Sequence, residues 1–151
     1  MGEDRADRVL KPPAASTPVV RRRMQAVRHH DTAPELALRR ELHRRGLRYR
    51  VGLRVLPRRS IDVAFPRQRI AIFVDGCYWH GCPAHGVRTD GMNAGYWREK
   101  IERNRRRDDD TDTRLRERGW HVIRVWEHED VFVNAEQIER LVRGEPGVRS
   151  P

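Results

Sequence analysis

The most informative stretch of the sequence is Ile70-Ala71-Ile72-Phe73-Val74-Asp75-Gly76-Cys77. Its first five residues form an unbroken apolar run, which is typical of a strand buried on both faces of a sheet. Asp75 follows the run directly, and Gly76 opens a segment rich in glycine, cysteine and histidine that extends to Met92. The sequence therefore predicts a central strand that ends in an acid and continues into a loop held together by something other than an apolar core.

Local patterns on either side of this strand predict the other elements. Thr32-Ala33-Pro34-Glu35 is a capping-box pattern with proline in the first turn, and Gly46 ends the helix that it opens. Extended segments are predicted at 49–55, 61–65 and 69–74, followed by a long helix at about 93–118, a strand at 121–126 and a final helix near 135–143. This order indicates an α/β domain with a mixed sheet between helices. Trp120 and Trp126 are expected in its core.

The two ends of the chain differ in composition from the middle. Residues 1–20 contain several prolines and alanines without periodicity, which predicts a mobile arm. A single domain is predicted at 21–143 and a flexible tail at 144–151. Basic residues surround Met24 and Val27, and this spacing fits a short helix laid on DNA and a solvated terminus equally well.

The charge of the chain favours a polyanionic partner. The formal net charge is +10 for 151 residues, and nucleic acid is the leading candidate. Codon bias is an alternative explanation for the excess of arginine over lysine, but it does not explain the net charge. Hydrophobic residues make up 37% of the chain, and no apolar run has the length that a bilayer requires. We therefore expect a cytoplasmic protein that does not bind membranes.

A cluster of cysteine and histidine predicts a metal site. Cys77, Cys82 and His85 supply three soft or borderline ligands within nine residues, and such ligands suit tetrahedral Zn²⁺. The fourth ligand is His128, just beyond the strand 121–126, or His80 in competition with it. Unliganded thiols and surface imidazoles are the alternative, because the spacing is irregular for a zinc finger. Four protein ligands would leave no open position, so the zinc would be structural.

A second group of residues suggests phosphodiester hydrolysis. Asp62 lies on one predicted strand beside the end of its neighbour at Val74, an arrangement by which restriction-endonuclease-like nucleases hold Mg²⁺ on a phosphate. The usual lysine of that fold has no counterpart, because no lysine occurs between positions 11 and 100. His80 is the obvious substitute for it, since imidazole titrates near neutral pH and can assist the attacking water.

Asp108 is the third acid of interest. It falls on the same face of the long predicted helix as the apolar residues Trp97, Ile101 and Leu115. This face is expected to point inward, so an acid on it suggests a specific role. The alternative is that Asp108 pairs with the arginines that precede it on a solvated face. The pattern alone does not separate a functional role from this one.

Several separated motifs occur in a specific order along the chain. They are Phe73-Val74-Asp75-Gly76-Cys77-Tyr78-Trp79-His80-Gly81-Cys82-Pro83, then Tyr96-Trp97-x2-Lys100-Ile101-x2-Asn104-x3-Asp108, and then Gly119-Trp120-x-Val122-Ile123-x-Val125-Trp126-Glu127-His128. Together they closely resemble the motifs of the very-short-patch repair endonucleases, and the likeness covers about residues 24–130. Asp31-Thr32-Ala33-Pro34-Glu35 and Arg23-Met24-x2-Val27 fit the start of that family.

The resemblance implies a fold and a reaction. The fold class is α/β, with a restriction-endonuclease-like mixed central sheet flanked by helices and a structural zinc site, so that 21–143 forms a single endonuclease domain. The reaction is the Mg²⁺-dependent, strand-specific nicking of double-stranded DNA 5′ to the thymine of a T:G mismatch, in very-short-patch mismatch repair. Such mismatches arise when 5-methylcytosine deaminates.

The resemblance also implies roles for individual residues in catalysis. By matching position, Asp62 and the backbone carbonyl of Val74 would hold Mg²⁺, and His80 would assist the attacking water. Glu35 and Asp108 would orient the site.

Metal and DNA contacts are implied in the same way. The implied zinc ligands are Cys77, Cys82, His85 and His128, the last of which stands where some relatives have a cysteine. The implied DNA contacts are a wedge that enters from the major groove, Tyr78, Trp79 and Trp97, and a pair on the minor-groove side, Met24 and Val27. Unstacking costs least at a mismatch, so inserted rings can favour mismatched DNA.

Some assignments stay open. Asp75 stands where some relatives have a histidine near the scissile phosphate, so it is a metal ligand, an orienting acid or a residue without a role. Tyr78 and Trp79 have the alternative of a place in the core, which fits poorly with a loop rich in glycine, cysteine and histidine.

Two other functions are compatible with the sequence. They are a zinc-stabilised, restriction-type nuclease that cuts unmismatched DNA and a non-catalytic module that binds DNA structures. The family resemblance suggests a monomer on DNA, associated with the bacterial nucleoid, and a mismatch-repair matchmaker protein is a further candidate partner.

Overall fold

The structure is a computed structural model, and it describes residues 30–85, 91 and 93–145 together with positions 18, 19 and 22. The predictions for Met24 and Val27 lie outside the described residues, as do most of the expected arm and tail. Within the described part of the chain, no helix combines the length and the hydrophobicity that crossing a bilayer would require.

Helix α1 (Ala33–Arg44) begins and ends where the sequence predicts. The hydroxyl of Thr32 accepts a hydrogen bond from the N–H of Glu35, and the Glu35 carboxylate accepts one from the N–H of Thr32. These two bonds complete the predicted capping box. Gly46 has φ +81°, a left-handed conformation that a residue without Cβ adopts readily just after a helix.

A four-stranded sheet follows, in the spatial order β1-β2-β3-β4. The strands are β1 (Arg50–Leu56), β2 (Arg59–Phe65), β3 (Ile70–Asp75) and β4 (His121–Trp126). The first three pair antiparallel and β3 pairs parallel with β4. The predicted mixed sheet is confirmed, and the apolar run does form a buried interior strand.

Among the described residues beyond β3 there are three helices. They are α2 (Cys77–His80), α3 (Ala94–Glu117) and α4 (Val131–Arg143). The prediction of a loop throughout 76–92 is wrong for α2, which forms one helical turn directly after β3. The predicted start of the last helix near residue 135 is also too late. The carboxylate of Asp130 accepts hydrogen bonds from the N–H groups of Phe132 and Val133, and this cap starts α4 at Val131.

Different helices cover the two faces of the sheet. Strand side chains alternate between the faces, so Ile70 and Ile72 pack with α1 and α4, whereas Ala71 and Phe73 pack with Leu115 of α3. The sheet is thus the middle of three layers. Its parallel strands β3 and β4 end at the same edge, which is also where α2 begins.

The two tryptophans expected in the core behave differently. Trp120 is half-buried and packs against the cluster around Leu115, as predicted. Trp126 is half-buried outside both core clusters of the described residues, and its ring stacks on that of His128 with 6.5 Å between centroids. The prediction of Trp126 as a core residue is therefore wrong.

Candidate active site and metal centre

Strands β2 and β3 separate at the position of Asp62. At this end their last paired residues are Val63 and Ile72. Beyond that pair, the N–H of Val74 donates to Oδ2 of Asp62 across 2.9 Å. The Asp62 carboxylate therefore lies between the two strands at the point where they diverge.

Asp62 shares its surroundings with two buried acids. Glu35, at the start of α1, is 2% exposed, and Asp75, at the end of β3, is 4% exposed. Burial raises the pKa of Asp62 to about 7; the N–H of Val74 opposes this rise, and the negative charges of Glu35 and Asp75 add to it. The charged form of a carboxylate whose pKa is raised in this way is stabilised by a nearby positive charge. The donor set suits a hard cation that prefers oxygen ligands.

His80 ends α2 and faces an acid of α3. Its Nδ1 lies 2.5 Å from Oδ2 of Asp108 and 3.8 Å from Oδ1 of Asp75. Burial lowers the pKa of His80, but the hydrogen bond to Asp108 and the negative charges of both acids outweigh burial, so the net shift is upward. A contact through Nδ1 leaves Nε2 available for another group. Of the two alternatives for Asp108, the structure favours the contact with His80 over a purely solvated face.

Arg124, in the middle of β4, is a residue that the sequence analysis did not single out. Both carboxylate oxygens of Asp75 accept from its Nη1, at 3.0 and 3.1 Å, and the carboxylate of Asp112 accepts from its Nε and Nη2. Burial raises the pKa of Asp75 although the positive charge of Arg124 opposes the rise. The available signal was a charged residue within the apolar alternation of His121–Trp126.

Helix α3 holds α2 in position through side-chain contacts to the backbone. Asn104 donates to the carbonyl of Trp79 at 2.9 Å, and Arg105 donates to the carbonyls of His80 and Gly81. Gly81 has φ +64°, and a Cβ on it would lie 2.7 Å from Nε of Arg105. The left-handed backbone therefore favours glycine where α2 ends, and a side chain there would displace Arg105.

Four of the predicted metal ligands converge at α2. Ligand atoms of Cys77, Cys82, His85 and His128 all lie within 4.8 Å of one another. The Sγ atom of Cys77 is 3.0 Å from Nδ1 of His128 and 3.8 Å from Nδ1 of His85, and Cys82 lies 3.7 and 3.8 Å from the same two nitrogens. Of the two candidates for the fourth position, it is His128 that joins the cluster, while His80 contacts Asp108.

Three of the four Cys–His distances in this cluster, at 3.7 to 3.8 Å, match a tetrahedral metal site, and the fourth, Cys77–His128, is shorter at 3.0 Å. Tetrahedral Zn²⁺ with thiolate and imidazole ligands separates its ligand atoms by about 3.3 to 3.8 Å, since its bonds are about 2.0 to 2.3 Å long. Both cysteines are free and buried. Burial and the neighbouring thiol of Cys82 raise the pKa of Cys77 to about 11, so a thiolate at this point needs a positive neighbour.

The aromatic residues of the predicted wedge form a separate group around the start of α3. Tyr78 contacts Trp79 and Trp97, with 5.0 and 5.8 Å between ring centroids, and the two tryptophans lie 6.0 Å apart. Nζ of Lys100 lies over both tryptophan rings, at 5.0 and 5.4 Å. Tyr78 is 42% exposed. Within the part of the chain that is described, neither core cluster includes these rings, so a core role does not account for them.

Comparisons with known proteins agree on one family. The family model for the DNA mismatch endonuclease Vsr matches residues 16–85. The type II nicking enzyme V.NaeI of Lentzea aerocolonigenes is 43% identical over 118 residues, which cover 73% of this chain and 68% of the relative. The type II nicking enzyme V.NmeDIP of Neisseria meningitidis serogroup C is 37% identical over 138 residues, covering 87% and 92%. The DNA mismatch endonuclease Vsr of Escherichia coli strain K12 is 38% identical over 104 residues, covering 69% and 66%.

Proposed function

Because this chain belongs to the Vsr family and is a DNA endonuclease, we propose that it nicks one strand of duplex DNA 5′ to the thymine of a T:G mismatch and requires Mg²⁺. The observation that carries the proposal is the carboxylate of Asp62, which lies between two diverging strands. The buried Asp75 beside it is also close to His80, which contacts Asp108. A non-catalytic DNA-binding module is not supported, since the relatives are named as endonucleases or nicking enzymes.

We further propose that the fold is restriction-endonuclease-like. The support is a mixed sheet between helices, in which an acid on β2 faces the end of β3. Residues 21–143 would then form the endonuclease domain.

The Mg²⁺ ligands that we propose are the carboxylate of Asp62 and the backbone carbonyl of Val74. In an antiparallel pair, the N–H and C=O of one residue face the same neighbouring strand. The N–H of Val74 points to Asp62, so its carbonyl lies on that side as well. When bound there, Mg²⁺ supplies neutralisation of the charge that develops on the scissile phosphate.

His80 is the proposed general base. Asp108 accepts from Nδ1 and fixes the ring, so that Nε2 takes the proton from the attacking water. Glu35 is buried beside Asp62, where its carboxylate orients the water and the ligand set. Asp75 links the acid group to His80, which makes it an orienting acid in this scheme.

The Cys/His cluster is the proposed structural zinc site. Its four ligands come from the segment after β3 and from the end of β4, so zinc would tie α2 to a strand distant in sequence. Four protein ligands leave no open position for a reaction.

The aromatic group is the proposed wedge for the mismatch. Tyr78, Trp79 and Trp97 would enter the duplex from the major groove, and Met24 and Val27, outside the described residues, from the minor groove. Insertion costs a few kcal/mol of unstacking per step and costs least where pairing is already weak, which favours mismatched DNA.

A strand-labelled nicking assay tests the proposal. Wild-type protein with Mg²⁺ should cut only the thymine strand of a T:G duplex, 5′ to the thymine, and EDTA should abolish cutting. Asp62→Asn should lower the rate at least about 100-fold while DNA binding is kept. Asp109→Asn, which changes an exposed acid of α3, is the matched control and should cut normally. Full activity of Asp62→Asn would refute the assignment of Asp62.

A second candidate function comes from the names of the relatives. V.NaeI and V.NmeDIP are named type II nicking enzymes, which favours nicking at a defined site that need not contain a mismatch. A fully paired duplex of the same sequence separates the two functions. Equal cutting of paired and mismatched duplexes would exclude mismatch specificity.

A further inference from the structure

Arg124 stands in a part of β4 where an apolar residue would be expected. It shares a face of the sheet with Val122, which packs toward α3, and its side chain is 21% exposed. Its guanidinium carbon lies 4.4 Å from the centre of the Phe73 ring, so the cation is stacked against the core cluster. Such a cation is retained in a core only when it is paired and hydrogen-bonded.

Three carboxylates surround this one cation. Nη1 of Arg124 contacts both oxygens of Asp75, at 3.0 and 3.1 Å, and lies 3.6 Å from Oδ1 of Asp108. Nε and Nη2 contact Asp112, one turn further along α3. The guanidinium therefore joins the end of β3 to two successive turns of α3.

Two of these carboxylates are the acids that contact His80. Nδ1 of His80 lies 2.5 Å from Oδ2 of Asp108 and 3.8 Å from Oδ1 of Asp75, and Nη1 of Arg124 lies 3.6 Å from Oδ1 of Asp108 and 3.0 Å from the same oxygen of Asp75. The position of the imidazole thus depends on two side chains whose own positions depend on Arg124.

We propose that Arg124 is a positioning residue for the nicking reaction, which holds Asp75 and Asp108 in the arrangement that orients His80 toward the scissile phosphate. This inference rests on the proposed function, because it takes His80 as the general base. The contacts with Asp112 anchor the guanidinium, and the contacts with Asp75 and Asp108 transmit its position to the imidazole.

A second metal ion is the competing explanation for this group. Ligand atoms of Asp75, His80 and Asp108 lie within 4.8 Å of one another and could in principle hold a cation. Both oxygens of Asp75 already accept from Arg124, however, so a metal there would have to displace a guanidinium. The group already has its positive charge, and it is supplied by the protein.

The test compares Arg124→Met with a matched control, Arg59→Met. Arg59 is buried to the same degree, with 22% exposure against 21%, and also ties a strand to α3, through Asp110 and Thr111. The zinc-bound full chain is used for both variants. Single-turnover nicking of a T:G duplex is measured with Mg²⁺, and DNA affinity is measured without added Mg²⁺. The signal of the His80 Nδ1–H proton is followed by NMR at fixed pH without DNA or Mg²⁺.

Arg124→Met should slow nicking by about tenfold to 100-fold, a part of the full effect of a general base, while DNA affinity changes less than about threefold. Its His80 Nδ1–H signal should broaden or disappear, whereas Arg59→Met should retain both signal and rate. Normal nicking and a normal His80 signal in Arg124→Met would overturn the inference, as would equal losses in the two variants.

Arg124→Lys covers the case in which Arg124→Met does not fold. Lysine keeps the charge but cannot form the forked contacts, so it should nick about tenfold more slowly than wild type and retain a weakened His80 signal. A wild-type rate and signal in Arg124→Lys would count against positioning by the guanidinium. If the wild-type protein cuts no T:G duplex, the proposed function fails, and the NMR comparison still decides whether Arg124 positions His80.

Discussion

At the scale of single residues, the carboxylate of Asp62 holds its proton more tightly than an ordinary aspartate does. Burial and the negative charges of Glu35 and Asp75 raise its pKa to about 7 in the metal-free protein. A carboxylate must lose its proton before it binds a metal ion, so protons and Mg²⁺ would compete for Asp62 if it is the proposed Mg²⁺ ligand.

This competition predicts a pH-dependent requirement for Mg²⁺. Because the pKa of Asp62 is raised, its protonated form dominates below about pH 7, and each bound Mg²⁺ releases that proton. The Mg²⁺ concentration for half-maximal nicking should fall about tenfold per pH unit up to about pH 7 and then level off. Magnesium titrations at several pH values measure this half-saturating concentration separately from the maximal rate. A constant half-saturating concentration between about pH 6 and about pH 8 would contradict the role of Asp62 as ligand.

His80 and Asp108 should affect the rate and leave DNA affinity intact. His80→Gln removes the nitrogen that is proposed to accept the proton and should slow nicking by about 10² to 10⁴-fold. Asp108→Asn keeps a side chain of the same size and should have a smaller effect, since the imidazole loses only its partner. His43→Gln, at an exposed histidine of α1, is the control. A loss of DNA binding parallel to the loss of rate would indicate a binding role instead.

At the scale of elements, local signals predicted well and distant partners did not. Both ends of α1 were predictable because the capping box around Thr32 and the turn at Gly46 involve only neighbours in sequence. The start of α4 was missed because its cap, Asp130, precedes the exposed apolar pair Phe132 and Val133, which breaks the helical pattern. The one-turn helix α2 has no periodicity of its own and depends on contacts from α3.

The turn that ends α2 gives a prediction about Gly81. Gly81→Ala should destabilise the protein by roughly 1–2 kcal/mol from the left-handed backbone alone. It should cost slightly more than that because the new methyl group would displace the exposed, flexible Arg105 side chain from the carbonyls to which it donates. Urea unfolding measures the total.

Gly46→Ala is the matched control for this substitution. Gly46 has a similar φ, and a Cβ there would meet nothing within 4 Å. In an Arg105→Ala background the extra cost of Gly81→Ala should disappear, leaving the two glycine substitutions equivalent. An unchanged cost in that background would show that Arg105 is not the cause.

The Cys/His cluster predicts that two substitutions of His128 will differ in their zinc content and stability. His128→Cys should retain one zinc per chain, because a thiolate replaces an imidazole in a tetrahedral site, whereas His128→Ala should lose zinc and lower the melting temperature. Metal analysis and the visible spectrum of the Co²⁺-substituted protein report the ligand set. If wild type and His128→Ala have the same melting temperature both before and after zinc is removed, the result would argue against a structural metal.

At the scale of the whole molecule, the candidate site combines segments that are far apart in sequence. The motifs identified Asp62, His80 and Asp108 as candidates, because their residue types suit the chemistry. The network behind them was not predictable, since Arg124 meets Asp75 across 49 positions and Asp112 across 12. A charged residue inside an apolar strand indicates that it has a partner of opposite charge, but the sequence does not identify that partner.

The net charge of +10 and the proposed aromatic wedge would act on DNA in physically different ways. Arginines that contact phosphates release counterions, so six to ten such contacts would weaken binding about 10³ to 10⁵-fold between about 50 and 200 mM salt. Insertion of Tyr78, Trp79 and Trp97 involves no charge neutralisation. Affinities for T:G and fully paired duplexes, followed by fluorescence anisotropy without added Mg²⁺, should therefore fall with the same logarithmic slope as salt rises and keep a constant ratio. Trp97→Ala should reduce the ratio and leave the slope unchanged. A preference for the mismatch that vanishes as salt rises would assign recognition to the arginines instead of the rings.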